Sequence, residues 1–121
     1  MELVKVVDFT KRDTERAMQE LMELKAAPTA IFTFKNYITL DAIEFIKCKY
    51  PDKLDLIDFT DFGNLPLFDY LENKPVASIE ENFYEVGKQG AILLFQIINE
   101  VNRNLNEDPK NIKIPCKLII H

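Results

Sequence analysis

Two polar side chains, Lys35 and Asn36, interrupt an apolar run inside the stretch AIFTFKNYITLDAIEFIK. A carboxamide both donates and accepts hydrogen bonds, which suits a sugar hydroxyl or a nucleobase edge. Asn36 also has a structural use, as the cap of a helix that begins there. The two roles can coexist. A second polar group, Asp58, Thr60 and Asp61, lies in LDLIDFTDF, at the end of an apolar alternation. Paired acids at a strand end can bind a magnesium ion or hold sugar hydroxyls. The alternative is a solvated loop that turns the chain.

Little else in the sequence suits catalysis. The only glycines are Gly63, Gly87 and Gly90, so there is no phosphate-binding glycine loop. The single histidine, His121, is the last residue and a poor prospect for a general base. No serine or cysteine has a recognisable base partner. Cys48 and Cys116 lack metal-motif spacing and read as buried thiols of a reducing compartment. The expectation is a binding protein with no catalytic residue, no metal and no cofactor. One rival remains: Asp8 and Asp58 resemble the strand-end acids of a phosphoacceptor receiver domain. Asp8, however, lacks the neighbouring acid that such domains use for magnesium, and Lys113 and Lys117 fall inside the last strand pattern, not at its end.

The chain has 121 residues, a length that suits one domain, and 47% of them are apolar, enough to bury a core. A formal charge of −5 argues against this segment gripping nucleic-acid phosphates by itself. The N-terminus shows no signal-peptide pattern, and no apolar run approaches the ~20 residues that span a bilayer. A soluble, cytoplasmic product without membrane partners is expected.

Strands and helices alternate along the chain. Valine-rich residues 3–9 (LVKVVDF) read as a strand. Thr10 then caps an amphipathic helix with Ala17, Met18, Leu21, Met22 and Lys25 on one stripe, ended by Pro28. Residues 29–34 form a second strand and 38–49 a second helix, with Ile38, Ala42, Phe45, Ile46 and Lys49 on its stripe. A turn at Pro51-Asp52 leads to a third strand over 54–59. A loop with a short helix carries Leu65, Leu67, Phe68, Tyr70 and Leu71, more apolar residues than a solvated loop needs. A strand over 76–79 follows. Asn82 then caps a helix over 82–104, with Glu85 completing a capping-box pattern. A polar loop leads to a last strand over 112–120, where Pro115 suggests an edge or bend. This order predicts an α/β fold, a mainly parallel sheet with helices on both faces. Ligands of such sheets sit beyond the carboxyl ends of the strands, so Asp8, Lys35, Asn36, Thr60 and Asp61 are expected along one rim.

Four stretches, in order and at matching spacing, resemble the effector-binding half of lactose-repressor/galactose-repressor family regulators. KAAPTAIFTFKNYITLDAIEFI looks like a proline, an apolar strand, a polar pair and an apolar helix of that family. LDLIDFTDF looks like its strand ending Gly-Phe-Asp-Asp. KPVASIEENFYEVGKQGAILLFQII looks like its Leu-Thr-Thr-Val stretch and the helix after it, and IPCKLIIH like its closing strand. The sequence departs from the pattern at Asn36, where an acid is usual, and at Asp58 and Thr60, which stand for the glycine and first aspartate. Asp61 keeps the acid, and His121 replaces a closing arginine.

The resemblance implies a Rossmann-like half of a type I periplasmic-binding-protein fold. Residues 1–121 would form the C-terminal portion of an effector-binding domain. Helix 82–104 would belong to the other subdomain, and the N-terminal DNA-binding domain would lie outside this chain. The implied effector is a sugar or similar small metabolite, contacted by Asn36, by Phe34 stacking on an apolar sugar face, and by Thr60 and Asp61. Operator DNA would be reached only through the separate DNA-binding domain. Leu67, Phe68 and Tyr70 would lie near a homodimer interface. Helix 82–104, left without its usual partner, would pack against another copy, by exchange. A free-standing solute-binding protein of the same superfamily is the alternative.

Overall fold

The computed structural model describes residues 2–100 and 110–121. These fall into two units, one running to Glu80 and rejoined by Leu118–His121, the other Glu81–Lys117.

The first unit opens with residues 3–9 in no regular structure. Helix α1 follows, Lys11–Met22, with the Thr10 hydroxyl accepting from the Asp13 amide at 3.2 Å. Its inward stripe is Thr14, Ala17, Met18, Leu21 and Met22. Strand β1 is Ala30–Thr33 and helix α2 is Asn36–Lys49, which ends in Lys47 and Lys49, favourable to its dipole. A 3₁₀ turn over Pro51–Leu56 leads into β2, Asp58–Phe62. A second 3₁₀ turn, Pro66–Tyr70, leads to β3, Ala77–Glu80. Strand β4, Lys117–Ile120, completes the order β1-β2-β3-β4. The β1–β2 and β2–β3 pairs are parallel.

Thr33 lies opposite Asp61, and Asp61 opposite Ser78. Side chains alternate across a strand. Ile31, Thr33, Phe59, Asp61 and Ser78 therefore share one face, and Phe32, Thr60, Phe62 and Ile79 the other. The core packs on the first face, where Met18, Leu21 and Met22 of α1 meet Ile43, Phe45 and Ile46 of α2, Ile31 and Phe59. Lys11 and Glu44 tie the two helices with an ion pair at 2.8 Å, which holds the Glu44 carboxyl below its ordinary range.

Several expectations from sequence are corrected. Residues 3–9 join no strand; Phe9 sits at φ 66 and bends the segment where it meets α1. Helix α1 ends at Met22, well before Pro28, so Lys25 lies outside it. The third strand begins at Asp58, not at residue 54, because Pro51 sets up a 3₁₀ turn through Leu56. Thr60 and Asp61 are thus inside β2, not beyond its end. Cys48 and Cys116 are exposed free thiols, not buried ones.

The second unit contains α3, Phe83–Asn99, capped by Asn82, whose side chain accepts from the Glu85 amide at 3.1 Å. The Glu85 carboxylate accepts from Gln89 at 2.7 Å, so only one arm of the capping box is the expected one. No residue of α3 is buried, and Phe83, Val86, Leu94, Phe95 and Ile98 are exposed. The part of the expected helix over 101–104 lies outside the described residues.

Candidate functional site

Two chain reversals meet at the carboxyl ends of β1 and β2. After β1, Phe34 and Lys35 lead into α2, with Lys35 in the capping position but making no side-chain capping bond. Asn36 is the first helical residue, and its Oδ1 accepts from the neighbouring Tyr37 amide at 2.8 Å. Its Nδ2 donates to the Gly63 carbonyl, just past β2, at 2.9 Å. The carboxamide thus latches the loop that follows β2 to the start of α2. Gly63 adopts φ 103, and a Cβ added there would stand 2.9 Å from Asn36 Nδ2. The backbone favours glycine here, and a side chain would in addition have to displace the Asn36 amide.

Beside this latch the Phe34 and Phe62 rings stack, with centroids 5.5 Å apart and planes 9° apart. Phe34 is 71% exposed. Tyr37 is exposed one residue beyond Asn36. The rim therefore offers an aromatic surface next to a carboxamide, the pairing that suits a ring with one apolar face and polar edges.

Asp61 lies below this rim. It is fully buried, and its Oδ2 accepts from the Thr39 hydroxyl of α2 at 3.1 Å. Thr33 Oγ1 lies within hydrogen-bond reach of Thr39 Oγ1 and of the Lys35 carbonyl. Asp61 Oδ1 is buried without a hydrogen-bond partner. On the far side of the row, Ser78 Oγ and His121 Nε2 are 2.9 Å apart, and His121 meets the Phe68 ring edge-on at 5.5 Å. Thr60 is half-buried on the opposite sheet face.

The structure thus gathers Phe34 and Asn36 at one rim, adds Phe62 and Gly63, and sets Thr60 and Asp61 within β2, on opposite faces. Asp8 lies before α1, bonded to Thr10, and is no strand-end partner of Asp58. Sequence reasoning missed Gly63 and Thr39. The first signals itself as the only glycine between the second helix and residue 80. The period of two through Ile57 and Phe59 points Asp61 inward. In the short helix, Phe68 is fully buried and serves this chain's own interior, whereas Tyr70 is 86% exposed and Leu67 is exposed beside it. Among the described residues no cluster of His, Cys, Asp and Glu could hold a metal ion, and no helix is long and apolar enough to cross a membrane.

No family model matches the chain. It is 32% identical over 90 residues to the HTH-type transcriptional repressor CytR of Escherichia coli K12, covering 72% of this chain and 25% of the repressor. CytR of Shigella flexneri matches equally. Among solved structures, a transcriptional regulator LacI from Bacillus cereus subsp. cytotoxis superposes with a TM-score of 0.76 at 25% identity, over 93% of this chain and 38% of that one. The transcriptional regulator CelR in complex with cellobiose gives 0.80 at 18% identity over 98% and 35%. The trehalose repressor of Escherichia coli gives 0.68 at 18% over 97% and 42%. The last two speak to the fold alone. The chain spans about a quarter of the length of the curated relatives it matches. By this sequence relationship, and by a fold shared with such regulators, the chain belongs to the LacI family of transcriptional regulators.

Proposed function

We propose that this chain is the effector-sensing part of a cytoplasmic LacI-family regulator, and that its effector, a sugar or similar small polar metabolite, rests on the rim where β1 and β2 end. The observation that carries the reading is the exposed Phe34 ring, stacked on Phe62 beside the Asn36 carboxamide. Phe34 takes an apolar sugar face, and Asn36 offers its remaining acceptor capacity while holding the Gly63 loop in place. Asp61 has no exposed surface, so it acts by fixing Thr39 and the start of α2 and not by touching the effector. Thr60, on the opposite face of β2, is a secondary contact. Support comes also from the family and from one neighbour solved with cellobiose.

In this reading a second lobe closes on the effector. Because effector binds the closed and open arrangements unequally, it shifts their populations and with them the spacing of DNA-reading heads outside this chain. Leu67 and Tyr70 contribute to a homodimer contact, and the apolar face of α3 is covered in the assembled regulator. A thermal-shift panel of mono- and disaccharides on the intact regulator tests the proposal. At least one sugar is expected to raise the melting temperature in wild type and to do so less in Asn36→Ala. A panel without any shift, or equal shifts in both proteins, contradicts it.

A further inference from the structure

The rim extends past β2 to the end of β3. Strand β3 ends at Glu80, and Asn64, just past β2, donates from Nδ2 to Glu80 Oε1 at 3.2 Å. Gly63 links this pair to Asn36. Its amide donates to the Ile79 carbonyl at 2.8 Å, and its own carbonyl accepts from Asn36. One glycine therefore ties three strand ends side by side. Glu80 follows Ser78 by two residues along β3. Alternation puts it on the helix-covered face with Ser78 and Asp61, the side on which Asn36 opens α2.

Glu80 is half-buried, and among the described residues no cation pairs with it. Lys35, the cation of this rim, is exposed at the β1 end, two strands away. Asn64 turns its amide nitrogen to the carboxylate, and its Oδ1 is buried without a partner. The pair thus fixes a carboxylate at a strand end and leaves acceptor capacity open. A carboxylate only accepts, so the group it recognises is one that donates, such as a hydroxyl. Such a bond is roughly twice as strong as one between neutral groups. A phosphate brought to the same place meets like charge, which suppresses binding.

We propose that Glu80 is a further effector contact, and that it selects an uncharged, hydroxyl-bearing effector over the corresponding phosphate ester. The inference rests on the effector reading and deepens it, adding the charge of the effector and the side chain that reads it. The pair stands at the carboxyl ends of β2 and β3, where ligands of such sheets sit. It shares Gly63 with Asn36, so an effector resting on that carboxamide has Glu80 along the same rim. Asn64 acts through Glu80 and is a positioning residue. Selection here combines an attraction for the right group with a repulsion of the wrong one.

The test uses the intact regulator with glucose, ribose and cellobiose, each beside its monophosphate ester. At least one parent sugar is expected to raise the melting temperature. Isothermal titration is expected to show its ester binding at least about tenfold more weakly. Glu80→Gln keeps the size of the side chain and removes its charge, and is expected to narrow that ratio at least about threefold. Asn64→Ala is expected to narrow it in the same direction. A merely structural role would weaken sugar and ester alike and leave the ratio unchanged, which overturns the proposal. An ester that binds more tightly than its sugar, in a response lost with Asn36→Ala, also overturns it and leaves the effector reading standing. A thermal shift from none of the six compounds removes the effector reading, and this inference with it.

Discussion

At Asn36 one carboxamide joins two loops. Its Nδ2 holds the Gly63 carbonyl, its Oδ1 takes the Tyr37 amide, and Gly63 leaves the space and supplies the positive φ that the contact demands. Gly63→Ala is expected to destabilise the protein by about 1–2 kcal/mol, from a strained backbone and a displaced amide. Asn36→Ala in the same chain removes the steric part and leaves the backbone part. Urea unfolding of the two single variants and the double variant checks this. The account requires the double variant to cost less than the sum of the singles, and strict additivity would refute the latch.

Between elements, the buried pair Thr39 and Asp61 pins α2 to β2. The Thr39 hydroxyl donates to Asp61 Oδ2, and Asp61 Oδ1 is buried without a partner. Thr39→Val, near-isosteric, strands a buried carboxylate and is expected to cost at least about 2 kcal/mol. Asp61→Asn in that background is expected to recover part of the loss, because an amide is cheaper to bury than a charge. Differential scanning calorimetry reads both effects. Much of this architecture is legible in the sequence: the Thr10 cap, the stripe of Ala17, Met18, Leu21 and Met22, the parallel order of strands, and Asn36 at a strand-to-helix junction. The start of β2 is not legible, because apolar residues recur along the whole of LDLIDFTDF, with Leu56 and Ile57 adjacent, and nothing in the run marks a first strand residue. Partner register decides, with Ala30 opposite Asp58, and that is a non-local fact. The same shift carries Thr60 and Asp61 from a supposed rim into the strand. Residues 3–9 fail as a strand for a related reason: propensity supplies the strand and only a neighbour can supply the ladder.

For the molecule as a whole, the described parts make unequal demands on their surroundings. The first unit has a well-covered helix face and an open face bearing Phe32 and Phe34, and α3 has apolar residues and none buried. Apolar surfaces of this kind are the ones that other polypeptide commonly covers, and the CytR relatives are about four times as long as the stretch matched here. The effector reading places the functional part of that surface at Phe34 and Asn36. Isothermal titration of the intact regulator with the sugar found by thermal shift decides the matter. Loss of an aromatic platform is worth roughly 1.4 kcal/mol, so the account predicts about a tenfold rise in Kd for Phe34→Ala and an unchanged Kd for Tyr70→Ala. A Kd that stays at the wild-type value in both Phe34→Ala and Asn36→Ala would contradict it.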